Sequence, residues 1–76
     1  MEELLTFLAK SLVDYPDDVS VTKVDGEIST VYELRVNDAD MGKVIGKQGR
    51  IAKSIRTIIK AAAAKEEKRV VVDIVQ

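Results

Sequence analysis

The sequence predicts an α+β domain, with helices packed on one face of a three-stranded sheet and the elements in the order α-β-β-α-α-β. Three observations predict this fold. Two segments carry apolar residues at helical spacing, one segment alternates apolar and polar residues, and a β-branched run lies near the C-terminus. A chain of 76 residues provides room for one domain, which we expect to span residues 1–76.

The first predicted element is an amphipathic helix over residues 2–13. Apolar residues recur at helical spacing at Leu4, Leu5, Leu8, Leu12 and Val13. Core packing is also the expected role of Phe7, which lies beside the leucines. Pro16 ends the segment, because the residue before a proline is driven away from helical backbone angles.

A β-hairpin follows, with predicted strands over residues 19–24 and 28–36. Asp25 and Gly26 form the predicted tight turn, since glycine tolerates a positive φ. Alternation in the second strand indicates one buried face and one wetter face. The predicted buried face consists of Ile28, Thr30, Tyr32, Leu34 and Val36.

The second half of the chain predicts two more helices, over residues 41–45 and 50–64, and a strand over residues 70–75. Asp38 and Asp40 are candidate N-caps for the shorter helix. On a helical wheel the longer helix has an apolar side and a basic side. The apolar side contains Ile51, Ile55, Ile58, Ile59 and Ala62, and the basic side contains Arg50, Lys53, Arg56 and Lys60.

Charge is unevenly distributed along the chain. Residues 1–40 carry three basic and ten acidic side chains, a net charge of −7, whereas residues 41–76 carry nine basic and three acidic ones, a net charge of +6. Between Met41 and Lys60 there are six basic residues and no acid. This segregation favours a surface that faces a polyanion, although solvated helix faces also carry Lys and Arg.

The composition argues against catalysis and metal binding. The chain contains no His and no Cys, so the usual general base and the usual metal ligands are missing, and we expect no enzyme activity and no cofactor. Gly49 is followed by Arg50 and Ile51 rather than by the Lys-Ser/Thr pair of a P-loop. No apolar stretch approaches the roughly 20 residues of a membrane span, and we expect a cytoplasmic protein.

The most informative stretch is the loop Gly-Lys-Gln-Gly at residues 46–49, between the two later helices. Its glycines let the backbone approach another chain closely, and the second glycine lies where a helix begins, which favours a phosphate. Positive charge at the same place comes from Lys43, Lys47, Arg50 and Lys53. The pattern is typical of a clamp for a sugar-phosphate backbone, and the alternative is a simple turn between helices.

The sequence resembles a KH domain of the type II arrangement, and in particular the small stand-alone bacterial proteins of the KhpA type. The resemblance covers nearly the whole chain. The matching residues are Leu12-Val13-Asp14 with Pro16, Glu33-Leu34-Arg35-Val36, Gly42 to Arg50, Ile55-Arg56-Thr57-Ile58, Ala61 to Ala64 and Lys68-Arg69-Val70-Val71. One departure is Ala52, where many KH domains carry a branched aliphatic residue, so the groove floor is expected to be shallow.

The resemblance implies a cytoplasmic protein that binds single-stranded RNA, with Gly46, Lys47, Gln48 and Gly49 as the clamp. Val44 and Ile45 would form the apolar wall of a groove for about four nucleotides. The resemblance also implies dimerisation, with a second copy or with a larger KH-containing protein of the KhpB (Jag) type. Members of the family are described as probable RNA chaperones linked to cell-wall synthesis and cell shape.

Two alternatives stay open at the level of sequence. A protein–protein adaptor with secondary nucleic-acid binding is one, because the apolar side of the longer helix is larger than a thin sheet covers. Its possible interface contains Ile58, Ile59 and Ala62, residues that would otherwise fill the core. Single-stranded DNA as the ligand is the other alternative, since a clamp on the backbone does not test for a 2′-hydroxyl.

Overall fold

The computed structural model describes residues 1–66 and 68–75. Its helices and strands are α1 (Glu2–Leu12), β1 (Ser20–Asp25), β2 (Ser29–Arg35), α2 (Met41–Ile45), α3 (Arg50–Ala62) and β3 (Arg69–Val75). The predicted order α-β-β-α-α-β is confirmed, and each predicted boundary lies within two residues of the observed one. Within the described ranges no helix has the length and apolar character needed to cross a membrane.

The three strands form one mixed sheet in the order β1-β2-β3. β1 pairs with β2 in antiparallel fashion, with Lys23 opposite Tyr32, and β2 pairs with β3 in parallel, with Tyr32 opposite Val72. The parallel pair is joined through α2 and α3, the kind of crossover that parallel strands require. β1 and β3 are the two edge strands, and the crossover brings α3 next to β3.

The core lies between the helices and one face of the sheet. Thr30, Tyr32 and Leu34 point inward at alternate positions of β2, as the period-two pattern predicted. Val70 and Val72 do the same on β3. The helical side of the core contains Leu5, Ala9, Val44, Ile55 and Ile59. The predicted α+β architecture, with helices on one face of a three-stranded sheet, is confirmed.

The buried stripe of α3 is rotated relative to the predicted one. Ala52, Ile55 and Ile59 are buried, whereas Ile58 and Ala62 are exposed. Because a helix turns about 100° per residue, positions separated by three and four residues align, and Ile58 lies at the margin of the stripe. Part of the predicted apolar side of α3 therefore stays at the surface.

Three local predictions are wrong. Phe7 is 67% exposed, because it lies about 200° around α1 from the buried Leu5. Ile28 is 84% exposed and lies in the connection before β2 rather than on its buried face. Gly26 does not adopt a positive φ. Its N–H donates to the carbonyl of Ser29 at 2.8 Å, and this hydrogen bond closes a connection of residues 26–28, shifted by one residue from the predicted turn.

Candidate nucleic-acid interface

Backbone conformation distinguishes residues 46–49, hereafter the clamp loop, from the rest of the described chain. Among the described residues, positive φ angles occur at Gly46 (75°), Gln48 (59°) and Gly49 (74°) and nowhere else. α2 ends directly before this loop and α3 begins directly after it. Three of the four loop residues thus adopt a conformation that side chains disfavour, and the two glycines occupy two of those positions.

Gly46 is required both by its backbone angles and by packing. Its φ of 75° and ψ of 175° fall in a region that is essentially restricted to glycine. A Cβ at this position would lie 2.6 Å from Cγ1 of Ile51, in the first turn of α3. The N–H of Gly46 also donates to the carbonyl of Gly42 at 2.8 Å, at the end of α2. Gly46 therefore lets the first turn of α3 pack against the loop.

Gly49 faces open space. Its φ of 74° and ψ of 13° are left-handed, but a Cβ there would meet no heavy atom within 4 Å. Gly49 also occupies the N-cap position of α3, where it has no side chain to accept hydrogen bonds from the first N–H groups of the helix. Another chain's backbone can approach here, and the helix N-terminus favours an anion at the same place.

Three of the predicted basic residues surround the clamp loop without a carboxylate partner. Lys47, Arg50 and Lys53 are exposed, and none of the ion pairs between described residues involves them. One Nη of Arg50 lies 3.5 Å from Oε1 of Gln48, at the outer limit of a hydrogen bond. These three positive charges at one helix N-terminus are available to a polyanion.

Lys43, the fourth predicted basic residue, is already paired within the chain. Its Nζ donates to the carboxylate of Asp14 and lies 3.7 Å from Oδ1 of Asp40. The hydrogen bond to Asp14 raises the pKa of Lys43 above its usual value, and partial desolvation opposes this effect. The positive charge of Lys43 is therefore balanced by the carboxylate of Asp14, in the segment that follows α1.

Asp40 has a role that the sequence did not predict. Its side chain makes no N-cap hydrogen bond to α2. It is fully buried, and its two carboxylate oxygens accept hydrogen bonds from the N–H groups of Asp14 (3.1 Å) and Tyr15 (3.0 Å). In the turn before α2, Oδ1 of Asn37 accepts a hydrogen bond from the N–H of Ala39. The predicted N-cap role of Asp40 is wrong, because its partners lie 26 and 25 residues earlier in the chain.

The two residues predicted to form an apolar groove wall differ in burial. Val44 has no exposed surface and belongs to the core, so its prediction as a wall residue is wrong. α2 directs one side of its single turn toward the sheet, and Val44 lies on that side. Ile45 is 37% exposed beside the clamp loop. Of the two, Ile45 is the one that a ligand can contact.

A basic cleft between α3 and β3 extends the candidate site beyond the clamp loop. Nε of Arg56 donates to the carbonyl oxygen of Val72 at 3.2 Å across this cleft. Because β3 is an edge strand, its outer backbone groups are not paired within the sheet. The sequence predicted the basic side of α3, but not that β3 would lie against it. The cleft is lined by Arg56, Lys60, Arg69, Val70, Val71 and Val72.

The predicted interface residues separate into one buried and two exposed positions. Ile59 is fully buried in the core, so its prediction as an interface residue is wrong. Ile58 is 43% exposed, and Ala62 is also at the surface. Ile58 borders an apolar groove between α1 and α3, hereafter the α1–α3 groove. The other residues that line it are Leu8, Ser11, Leu12, Ile51, Ser54 and Ile55.

A family model described as the KH domain of KhpA/KhpB matches residues 2–74 of the chain. The chain belongs to this family. Among its relatives are the RNA-binding protein KhpA of Clostridium acetobutylicum, 67% identical over 75 residues, and that of Clostridium perfringens, 64% identical over 75 residues. In both comparisons the match covers 99% of this chain and 100% of the relative. KhpA of Listeria monocytogenes is 47% identical over 76 residues, with both chains fully covered.

Two solved structures of Era share the fold. An Era variant of Aquifex aeolicus bound to GDP and AlF4⁻ aligns with a TM-score of 0.63 and 18% identity. Era in complex with MgGDPNP and nucleotides 1506–1542 of 16S ribosomal RNA aligns with a TM-score of 0.59 and 20% identity. Each alignment covers 97% of this chain but only 30% of the Era chain. At this identity the similarity establishes a common fold.

Membership of the KhpA/KhpB family confirms the resemblance found in the sequence. It also confirms that the chain is not an enzyme, because the family consists of non-catalytic KH-domain proteins. The α-β-β-α-α-β order with a mixed three-stranded sheet is the type II KH arrangement.

Proposed function

We propose that this chain is a single KH domain, spanning residues 1–76, that holds single-stranded RNA at the clamp loop. The observation that carries the proposal is the coincidence of an open backbone turn, a helix N-terminus without a side-chain cap, and three cations that form no ion pair with the described residues. The KhpA relatives are named RNA-binding proteins, which supports RNA as the ligand. The residues that we assign to RNA contact are Ile45, Gly46, Lys47, Gln48, Gly49, Arg50 and Lys53.

In the proposed complex a phosphate lies over Gly49, against the first N–H groups of α3. The side chains of Lys47 and Arg50 neutralise that phosphate and its neighbour, because both are exposed beside the loop. Contacts of this kind position the RNA backbone and carry little sequence information. We therefore expect modest affinity and low base specificity from one domain.

The basic cleft between α3 and β3 provides a path for the nucleotides that follow. α3 runs from the clamp loop to this cleft, so one face of one helix can follow a single strand. Arg56 and Arg69 supply guanidinium planes on which bases stack, a role that aromatic side chains take in other RNA-binding modules. The chain has only three aromatic residues, so arginine is the more available stacking partner here.

Fluorescence anisotropy of a labelled, unstructured RNA tests the clamp. We expect the wild type to bind with an affinity that falls as salt rises, and the Lys47→Asp/Gln48→Asp variant to lose binding. Each phosphate contact contributes about 0.7 to the slope of log affinity against log salt for a single strand. The variant should stay folded, because Lys47 and Gln48 are exposed and Asp tolerates a left-handed backbone.

A matched control is the Thr22→Asp/Lys23→Asp variant, which changes the net charge equally on the exposed edge strand β1. It should bind RNA nearly as well as the wild type, with circular dichroism confirming that both variants are folded. Equal binding by the wild type and the loop variant would mean that the clamp loop is only a turn. A DNA strand of the same sequence, measured in parallel, tests single-stranded DNA as the ligand.

We further propose that the protein acts in the cytoplasm as an RNA chaperone. A site that grips backbone with modest affinity supports this role, because a chaperone must release many different RNAs. In a strand-annealing assay the wild type should accelerate pairing of two complementary RNAs, and the Lys47→Asp/Gln48→Asp variant should not. A link to cell-wall synthesis and cell shape rests on family membership alone, and loss of the gene would then alter cell dimensions.

A second proposal is self-association through the α1–α3 groove, which is what the adaptor alternative requires. Leu12 and Ile58 leave apolar surface exposed at this groove, and a core built from so few residues gains stability from a partner. The occupant that we propose is the same groove of a second copy. A two-fold contact of this kind is self-complementary, so each copy covers the other's exposed Ile58.

Sedimentation velocity tests the groove. The wild type should sediment as a dimer of the 8.4 kDa chain, and Ile58→Asp should shift it to the monomer. Ile28→Asp is the matched control, since Ile28 is the more exposed isoleucine but lies in the β1–β2 connection. A monomeric wild type would contradict the homodimer and direct the search to a larger KH-containing partner of the KhpB (Jag) type.

A further inference from the structure

One basic residue near the clamp loop, Lys43, forms an ion pair with a carboxylate of the same chain. Lys43 lies on α2, three residues before Gly46, and its side chain is 44% exposed. Asp14, in the segment after α1, accepts a hydrogen bond from its Nζ. A carboxylate and a phosphate offer the same kind of anionic oxygen to a lysine. The carboxylate of Asp14 therefore fills the place on Lys43 that a phosphate of the RNA would take.

The fold itself sets the position of Asp14. The buried carboxylate of Asp40 accepts the N–H groups of Asp14 and Tyr15, at 3.1 and 3.0 Å. α2 begins immediately after Asp40, so this contact ties the segment that carries Asp14 to the helix that carries Lys43. The carboxylate of Asp40 is also close to Lys43, since its Oδ1 lies 3.7 Å from Nζ. The buried carboxylate of Asp40, through its hydrogen bonds, thus fixes the position of Asp14 relative to Lys43.

The other basic residues of the site differ in this respect. Lys47, Arg50 and Lys53 take part in none of the ion pairs between residues of the described ranges. Lys43 is the member of the group with two carboxylates within 4 Å of its Nζ. The chain therefore keeps three cations available to a ligand and neutralises the one on α2.

We propose that Asp14 competes with RNA phosphate for Lys43 and thereby limits the affinity and the salt dependence of the clamp. The inference rests on the proposed function, because it concerns the same RNA. While Asp14 carries its charge, Lys43 makes no phosphate contact. Loss of that charge leaves only the buried carboxylate of Asp40 near Lys43, and that carboxylate already accepts two backbone hydrogen bonds. Lys43 can then add one phosphate contact on the α2 side of the clamp loop.

The expected gain is small but measurable, since both side chains of the pair are exposed and such pairs are weak. We expect Asp14→Asn to tighten RNA binding about two- to fivefold at low salt. One added phosphate contact should also steepen the log–log salt slope by about 0.7. The backbone N–H of residue 14 is retained in this variant, so the hydrogen bond to Asp40 persists.

The experiment is a salt series of anisotropy titrations with a labelled oligouridine, for the wild type and four variants. Asp17→Asn is the matched control: it removes the same charge from an exposed residue of the same turn, and Asp17 contributes to none of the ion pairs of the described residues. Lys43→Gln tests whether Lys43 contacts RNA in the wild type. The double variant Asp14→Asn/Lys43→Gln restores the wild-type net charge.

We expect Asp14→Asn to bind oligouridine more tightly than the wild type and with a steeper log–log salt slope. The salt slopes of Asp17→Asn, Lys43→Gln and the double variant should equal that of the wild type. Equal gains from Asp14→Asn and Asp17→Asn would overturn the inference, because the effect would then be one of general charge. A shallower slope for Lys43→Gln alone would also overturn it, since Lys43 would already contact RNA. If the wild type binds no oligouridine, the proposed function fails together with this inference, whereas the preceding outcomes leave the proposed function intact.

Discussion

The two ends of the clamp loop contain the same residue type for different physical reasons. Gly46 lies against the side chain of Ile51, so both its backbone angles and the surrounding packing exclude a Cβ. Gly49 has an equally positive φ, but the space where a Cβ would lie is open. The first end of the loop is therefore a packing element of the fold, and the second end leaves open the space in which we propose that RNA binds. Substitutions at the two ends should separate stability from RNA binding.

The largest expected effect is the loss of stability on substitution of Gly46. Gly46→Ala should lower the free energy of unfolding by about 3 kcal/mol, because it combines backbone strain with overlap against Ile51. Urea denaturation followed by circular dichroism measures this change. For a small domain a loss of this size is a large fraction of the total stability.

The double variant Gly46→Ala/Ile51→Ala tests whether packing contributes to that loss. If overlap matters, the two substitutions should be non-additive, with a coupling of at least about 0.5 kcal/mol in the stabilising direction. Additive losses would show that the backbone angles of Gly46 alone exclude alanine and that the contact with Ile51 is irrelevant.

Substitution of Gly49 should reduce stability less than substitution of Gly46 does, and should reduce RNA binding more. Gly49→Ala should cost about 1 kcal/mol of stability, the penalty of a left-handed backbone for an ordinary residue. RNA affinity should fall about tenfold, because the new Cβ occupies the open space that the RNA backbone would approach. Anisotropy and urea denaturation on the same samples separate the two quantities.

Gly49→Asn refines this test, since asparagine tolerates the left-handed region better than alanine does. It should recover part of the stability while still obstructing RNA. An Asn variant that binds RNA as well as the wild type would argue against close backbone approach at Gly49.

The smallest expected effect is at Gln48, the residue between these two ends that adopts a positive φ without being glycine. Gln48→Asn should raise the free energy of unfolding by roughly 0.5 kcal/mol, because asparagine is favoured over glutamine in this region. The midpoint of urea denaturation should rise slightly at unchanged slope. A decrease would mean that Gln48 makes a stabilising contact that its weak interaction with Arg50 does not reveal.

Local sequence patterns were sufficient for the order and bounds of the elements. Proline, glycine and the apolar periodicities act within a few residues, so the boundaries of α2 and the clamp loop could be predicted without the fold. The position of the Gly-Lys-Gln-Gly loop between α2 and α3 was also predictable, because its four residues are consecutive in the chain. Two errors concern residues whose environment depends on a distant element, since Val44 and Ile59 are fully buried against the sheet. Phe7 and Ile28 are exposed for local reasons, the helical phase of α1 and the start of β2 at Ser29.

The sequence by itself therefore determined the type II KH order of elements, the position of the clamp loop and the basic character of α3. Only the tertiary structure decided which of the basic residues around the clamp loop, on α2 and α3, form an ion pair within the described part of the chain. Asp14 reaches Lys43 across 29 residues of sequence, and the buried support from Asp40 spans 26. The cleft at Arg56 likewise depends on β3, which the crossover brings beside α3. Helical and strand periodicities are local, whereas the pairing of charges depends on how the elements pack.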